Sequence, residues 1–216
     1  MKNRLIVIGC VILTALAIIF GYKIYTTPEG SDCAYSSTLD ILAEPVQKTN
    51  SEAFIPILEL GSKKYTIIPV ADYRIAGIVV SKKKYYNGFM SELSPYDFAL
   101  IWGKAPDYLP YIKFDQVVRF CLYKYQNNAP IDVKYLNAHF SNNHLIPADK
   151  NIKRALGKVQ KKDKVQLEGY LVNVLGQDQK KRFSSWNTSK TRIDEGNGAC
   201  EIIYVTRLRI NNKEYI

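Results

Sequence analysis

The sequence predicts an α+β, β-rich fold: an N-terminal transmembrane helix, then a curled antiparallel sheet or small OB-like barrel with one or two short helices. Three observations predict it. The N-terminus carries an unbroken apolar run, apolar positions alternate in the C-terminal third, and the chain has 16 tyrosines, a residue that favours strands. We expect an anchor over residues 1–24, a tether over 25–51 and an exported globular domain over 52–216.

Residues 5–22 form a run of 18 uncharged, mostly apolar residues, preceded by Lys2 and Arg4 and followed by Lys23. A helix of that length spans about 27 Å, which is close to the hydrocarbon core of a bilayer. The positive charges before the run favour a cytoplasmic N-terminus. We therefore expect a single-pass inner-membrane protein. Its residues 5–22 would contact the lipid bilayer, and its C-terminal domain would be periplasmic or extracellular.

Two alternatives for this segment stay open. Residues 15–17 read Ala-Leu-Ala, a small-x-small pattern that also precedes the cleavage site of a signal peptide. Residues 7–10 end in Cys10, which allows a lipoprotein interpretation, although few apolar residues precede that cysteine. The globular part is exported in either case.

The tether prediction rests on the polar, proline-bearing composition of residues 25–51. The folded domain is expected to begin near Phe54. Residues 54–60 and 65–70 flank a turn at Gly61 and predict a hairpin, and residues 74–81 predict a further strand rich in β-branched residues.

Two helices are expected after these strands. Ser94, Pro95 and Asp97 have the spacing of an N-cap, a first-position proline and a third-position acid, which predicts a helix over 94–103. Residues 114–125 then predict a strand or strand pair.

The second helix is expected to begin at Asp149, just after Pro147 and Ala148. Its buried face is predicted by apolar residues at helical spacing, namely Ile152, Ala155, Leu156 and Val159.

The C-terminal third predicts three strands. Apolar positions alternate over residues 165–174 with a change of phase at Gly169, where glycine permits a bulge or bend. Residues 183–192 and 201–210 predict two further strands, joined by a glycine-rich turn at 196–198. This pattern favours a small barrel, and a β-sandwich or an open sheet with flanking helices stays open.

Composition limits the chemistry of the exported part. The chain carries a net charge of +10, and removing Lys2 and Arg4 leaves +8, which attracts anionic lipid head groups, wall polymers or nucleic acid at low salt. Charge alone does not choose among these three. Cys33, Cys121 and Cys200 allow one intramolecular disulfide, with its pairing open. No cysteine or histidine cluster has zinc spacing, so we expect neither a metal nor a cofactor.

The candidate catalytic residues are His139, His144, Cys200 and Glu201. The two histidines are the only ones in the chain, and a spacing of five places them on different faces of a helix or strand. Cys200 as nucleophile and His144 as base would form a catalytic pair, with Glu201 orienting the imidazole and the 196–198 turn donating N–H groups to an oxyanion. Structural roles for all four residues are the alternative.

Several stretches of the chain resemble a family of uncharacterised bacterial single-pass membrane proteins. They include Pro69-Val70-Ala71-Asp72-Tyr73, Leu93-Ser94-Pro95-Tyr96-Asp97, Trp102-Gly103, His144-Leu145-Ile146-Pro147-Ala148 (HLIPA), Gly169-Tyr170-Leu171-Val172 (GYLV) and Thr191-Arg192-Ile193-Asp194 followed by Gly196-Asn197-Gly198-Ala199-Cys200-Glu201. The resemblance implies a membrane-anchored exported domain and no particular activity.

Three hypotheses about function follow. The first is a non-enzymatic envelope protein, a binding or assembly module whose partner is an envelope protein or an anionic envelope component. The alternative is a hydrolase or transferase that uses His139, His144 and Cys200. Single-stranded nucleic-acid binding by an OB-like barrel ranks last, because it conflicts with export.

Overall fold

A large mixed sheet dominates the fold. The computed structural model describes residues 2–33, 39–191 and 200–216, with side chains from residue 11 onward. Its helices there are α1 (Lys2–Thr26), α2 (Val133–Ala138) and α3 (Lys150–Lys158), with a 3₁₀ helix at Ala105–Tyr111. Its strands are β1 (Ser31–Asp32), β2 (Val46–Thr49), β3 (Leu58–Leu60), β4 (Lys63–Lys84), β5 (Tyr96–Ile101), β6 (Ile112–Val117), β7 (Phe120–Tyr125), β8 (Phe140–Pro147), β9 (Lys164–Gln177), β10 (Phe183–Trp186), β11 (Glu201–Ile210) and β12 (Lys213–Tyr215).

Five long strands pair with one another. Strand β4 pairs antiparallel with β5 and β9, and β5 pairs antiparallel with β8. Strand β11 pairs antiparallel with β9 and parallel with β8. The expectation of a purely antiparallel sheet is therefore wrong at the β8–β11 pair. These two strands run in the same direction because α3 and β9 lie between them in the chain and form the long crossover that parallel pairing requires.

The predicted strands at 65–70 and 74–81 are parts of one strand, β4, which is 22 residues long. Its register against β9 shifts between Pro69 and Ala71, and its register against β5 shifts between Val79 and Ser81. Such bulges bend a strand locally. One strand can therefore curl through the whole sheet where the sequence indicated two.

The helix predicted over 94–103 is wrong, because residues 96–101 form strand β5. All six residues of β5 are buried, and the strand hydrogen-bonds to β4 on one side and to β8 on the other. Tyr96, Phe98 and Ile101 also have side chains that suit a pleated surface. Two ladders and complete burial outweigh the helix-capping signal of Ser94 and Pro95.

The second helix, the 114–125 strand pair and the last long strand are confirmed. Helix α3 begins after Asp149, whose side chain accepts a hydrogen bond from the Ile152 amide, and it buries Ile152, Ala155 and Leu156. Strands β6 and β7 form a hairpin. Strand β11 covers 201–210 as predicted. Local capping and periodicity carry enough information here because they agree with the tertiary contacts.

The predicted hairpin between residues 183–192 and 201–210 is wrong. Strand β10 ends at Trp186 and pairs with β9, to which the turn at Asp178–Arg182 connects it. The predicted turn at 196–198 lies outside the described residues, as do Arg192 and Asp194. Within the predicted 25–51 tether, β1 pairs with β12 and β2 pairs with β4, because their backbones find free edges of the sheet.

The main core lies between the sheet and α3, and a second apolar cluster lies under the β6–β7 hairpin and α2. The main core includes Phe98, Leu100, Leu145 and Leu167, and the second includes Ala99, Ile101 and Leu136. Strand β5 therefore contributes alternate residues to two cores. This double burial explains why it has no exposed face.

Helix α1 covers the predicted anchor segment. The side chains of residues 2–10, which include the first six positions of the apolar run at 5–22, lie outside the described part. Among the helices as described, none has the length and apolar character needed to cross a membrane.

Candidate functional site

A buried carboxylate at Asp97 organises the candidate site. Asp97 on β5 lies directly opposite His144 on β8, and His144 Nδ1 is 2.9 Å from Asp97 Oδ1. Arg119 Nη1 donates to the same oxygen at 2.8 Å. The side chain of Asp97 is 0% exposed and that of His144 only 4%. A buried carboxylate is costly without a partner of opposite charge, so Arg119 is the residue that makes this position tolerable.

The β6–β7 turn delivers Arg119 to this position. Val117 pairs with Phe120, so the turn consists of Val118 and Arg119 alone. Val118 has φ 52°, which is uncommon for a β-branched residue. The Tyr85 hydroxyl donates to the Val118 carbonyl, and burial, followed by the nearby Asp97 carboxylate, raises the pKa of Tyr85. Contacts around the turn therefore hold a conformation that the residue alone does not favour.

Aromatic rings cover the charged groups. The Arg119 guanidinium lies over the Tyr85 ring, 4.2 Å from its centroid, and over the Trp186 ring at 5.1 Å. The His144 and Trp186 ring centroids are 4.6 Å apart. Stacking of a guanidinium on aromatic faces is favourable and excludes water from its charge. We name the group Asp97, Arg119, His144 and Trp186 the latch.

His139 lies in a different environment from His144. Its Nε2 is 2.8 Å from Glu44 Oε1, its Nδ1 is 2.8 Å from the Tyr135 carbonyl, and its ring stacks on Tyr135. None of these partners contacts the latch in the described interactions. The two histidines therefore serve separate clusters, as their spacing in the sequence indicated.

Cys200 and Glu201 lie at the start of β11, beside β8. The Asn142 side-chain amide lies 3.5 Å from Cys200 Sγ, and Asn142 precedes His144 by two residues on the same face of β8. Glu201 is buried and pairs with Asn143 through the backbone. The fold thus places the Cys200 sulfur against the side-chain amide of Asn142, two residues before His144 on β8.

The described residues contain no disulfide among Cys33, Cys121 and Cys200. Burial raises the pKa of the Cys121 thiol to about 12, which keeps it protonated and unreactive at neutral pH. Metal binding has no candidate either, since no three His, Cys, Asp or Glu side chains group together in the part of the chain that is described.

An open cleft adjoins the latch. Its volume is approximately 340 Å³, and its walls include Lys63, Phe89, Arg182 and Phe183. The two phenyl rings are unusually accessible, with Phe89 54% and Phe183 77% exposed. Lys63 forms an ion pair with Glu92, and Arg182 forms one with Asp178 at 2.7 Å. We name this feature the cleft. It combines exposed rings with two cations on one accessible surface.

Asp97, Arg119, Trp186 and the cleft are not among the functional residues that the sequence predicts. The sequence places Asp97 in the first turn of a predicted helix, where a carboxylate is ordinary. A lone acid followed by Phe98, Ala99, Leu100 and Ile101 was the available signal, because an acid within a buried strand requires a buried partner. No signal in the sequence identifies Arg119 as that partner.

Comparison of the chain with protein-family models, with curated proteins and with solved structures finds no match.

Proposed function

We propose that this chain is a non-enzymatic binding module of the bacterial envelope, and that its ligand, an anionic envelope polymer, contacts the cleft. The observation that carries the proposal is the cleft itself, where Phe89 and Phe183 are exposed beside Lys63 and Arg182. Exposed apolar side chains grouped in a concave surface are characteristic of binding sites. The net charge of the domain favours an anionic ligand, which would compete with Glu92 and Asp178 for the cations Lys63 and Arg182.

The strand pairing supports an OB-like barrel as the scaffold. Five strands pair in a closed circuit, in the order β4, β5, β8, β11, β9 and back to β4. Helix α3 lies between β8 and β9 in the chain. This circuit, with one parallel pair, has the strand order of a five-stranded Greek-key barrel of the OB type. In that fold, loops between strands one and two and between strands four and five border the ligand site.

The cleft lies between the two corresponding loops of this chain. Phe89 belongs to the β4–β5 connection, and Arg182 and Phe183 follow β9 on the connection toward β11. Fold-level likeness alone does not establish a function. Here it agrees with an independent observation, the exposed rings and cations.

A membrane anchor is part of the proposal and rests on the apolar run at residues 5–22. The end of α1 contacts the α3 end of the domain, because Arg154 donates to the Tyr25 carbonyl at 3.1 Å and Asn151 hydrogen-bonds to Glu29. The cleft lies at the opposite end of the β4–β9 ladder, near the Lys64–Gln177 pair. An anchored domain would therefore present the cleft away from the bilayer.

The test uses the full chain in detergent micelles with dextran sulfate as an anionic glycan probe and uncharged dextran of equal length as its reference. We expect binding of dextran sulfate only, weakening with salt. We expect F89A/F183A and K63Q/R182Q each to weaken it about tenfold or more, since the few central side chains of a site carry most of its affinity.

The matched control is K150Q/K213Q, which removes the same charge from exposed positions at the other end of the ladder. It should leave most of the affinity intact. If both charge variants weaken binding equally while F89A/F183A has no effect, the probe binds through net charge alone and the cleft proposal is wrong.

The hydrolase or transferase alternative is favoured by one observation, the Asp97–His144 contact near Cys200. An activated cysteine reacts as a thiolate well below its ordinary pKa of about 8.5. Alkylation of Cys200 by iodoacetamide, followed by peptide mass spectrometry across pH, tests this. A midpoint below pH 7 that H144N raises supports the alternative, and a midpoint near 8.5 contradicts it.

A further inference from the structure

Arg119 of the latch contacts one wall of the cleft directly. Arg119 Nε donates to the Phe89 carbonyl at 3.1 Å, and Arg119 Nη2 donates to the Ser94 carbonyl at 3.0 Å. These two carbonyls lie near the middle and the end of the β4–β5 connection. Arg119 therefore holds the segment that carries the Phe89 ring into the cleft.

The opposite wall depends on the same guanidinium through Trp186. Trp186 lies on β10, three residues after Phe183, and its ring packs under Arg119 and against His144. Trp186 also meets the Phe89 ring edge-on, with centroids 5.6 Å apart. The position of β10, and with it that of Phe183, is thus tied to the position of Phe89.

Only arginine has the geometry for these contacts. A planar guanidinium offers five donors and two flat faces, so it can bond to Asp97, Phe89 and Ser94 while it stacks on Tyr85 and Trp186. Asp97 Oδ1 accepts from Arg119 Nη1, and His144 Nδ1 lies 2.9 Å from the same oxygen. The carbonyl of Arg119 also accepts a hydrogen bond from Asn142 at 2.7 Å, which fixes the turn on β8.

We propose that Arg119 is a positioning residue for the cleft: it sets the distance between the Phe89 wall and the Phe183 wall and so prepares both rings for ligand. This inference rests on the proposed function for its ligand, but its structural part concerns the free protein. A surface that is already ordered in the free protein loses less conformational entropy when the ligand binds.

The test removes the fork without leaving a buried unpaired charge. D97N/R119Q exchanges the buried pair for two neutral amides, whereas R119Q alone leaves the Asp97 carboxylate unpaired and can unfold the domain. K124Q is the matched control, because Lys124 is exposed on the same hairpin and loses the same charge. All chains are compared as full-length protein in the same detergent.

Two measurements distinguish positioning from bulk stability. In D97N/R119Q that retains cooperative unfolding, we expect faster amide hydrogen exchange in both residues 85–95 and residues 183–186. We also expect affinity for dextran sulfate to be about tenfold weaker, because both walls must now be ordered on binding. K124Q should match the wild type in exchange.

The proposal is overturned if the folded double variant exchanges at wild-type rates in either segment, or keeps wild-type affinity. If R119Q unfolds, D97N/R119Q and R119K still test whether Arg119 positions the two walls. R119K is informative because it retains the charge but lacks the planar fork. If the wild-type protein does not bind dextran sulfate, the proposed function is contradicted. Hydrogen exchange by itself would then test whether Arg119 positions the two walls.

Discussion

Two buried or half-buried carboxylates on the β4–β5 side of the domain have different tasks. Asp97 is enclosed and compensated by Arg119, so its partner decides whether the position is tolerated. Glu92 lies closer to solvent and accepts hydrogen bonds from Lys63 and the Tyr65 hydroxyl. The cleft depends on this pair, because Glu92 fixes the position of Lys63, which is one of the two cations of the cleft.

The acid stability of the domain should depend on Glu92. Burial opposes ionisation of this carboxyl, but hydrogen bonds from Lys63 and Tyr65 outweigh it and lower the pKa from 4.5 to about 2. A lowered pKa in the folded state gives stability that is present above pH 4.5 and is lost as pH falls toward 2. Because the side chain is 31% exposed, solvent screening limits the contribution to about 1 kcal/mol.

Chemical denaturation of the wild type and E92Q at several pH values between 2 and 6 measures this contribution. E92Q should be less stable than the wild type at pH 6 and nearly equal to it at pH 2. E59Q is the control, since Glu59 pairs with Lys64 on the surface. Equal pH slopes in all three proteins would contradict the role of Glu92.

Among the elements, β9 shows how one residue type shapes a strand. Gly169 lies where β9 crosses β11, opposite the register shift between Val205 and Arg207, and its φ is 152°. A Cβ at this position would lie 1.9 Å from the Tyr204 carbonyl oxygen. The phase change in the sequence therefore marks a place where two strands approach too closely for any side chain.

Substitution G169A should destabilise the domain by about 3 kcal/mol or more, because both the backbone conformation and the contact with Tyr204 are unfavourable for alanine. G61A is the matched control. Gly61 also has a positive φ, 59°, but nothing lies within 4 Å of its Cβ position, so we expect a cost of about 1 kcal/mol. Urea unfolding measures both, and similar losses would show that the close approach contributes nothing.

At the scale of the whole molecule, the position of the cleft relative to the N-terminal helix has a functional consequence. Arg154 and Asn151 connect the end of α1 and the segment after it to the α3 end of the domain, and the cleft lies at the other end of the β4–β9 ladder. If residues 5–22 anchor the chain in a bilayer, as we propose, the cleft would meet its ligand at a distance from the bilayer surface.

Topology is the prediction that belongs to this scale. With residues 5–22 as a single-pass anchor, alkaline phosphatase fused to the C-terminus should be active, and the fusion should sediment with membranes. Replacing residues 5–22 by a cleavable signal peptide should leave the reporter active but release it from the membrane. An inactive reporter, with a fluorescent C-terminal GFP fusion in the same host, would place the domain in the cytoplasm and contradict the envelope proposal.

The local signals in this chain predicted the elements whose own residues carry the information. Asp149 caps α3, helical spacing marks its buried face, and alternation marks β11, so these elements agree with the structure. The same kind of local signal failed at Ser94 and Pro95, because residues 96–101 gain more from two ladders and full burial than from a helix cap. The local signal at residues 183–192 also predicted the wrong partner, because β10 pairs with β9 and not with β11.

The sequence by itself determined the apolar run at 5–22, the β-rich character, α3 and the positive charge of the domain, because each depends on composition or on residues close together in the chain. Only the tertiary structure decided that Asp97 meets Arg119, which lies 22 residues away, and that Phe89 and Phe183 face one cleft. These contacts depend on strand register and on the direction of a two-residue turn, and neither leaves a periodic signal in the sequence.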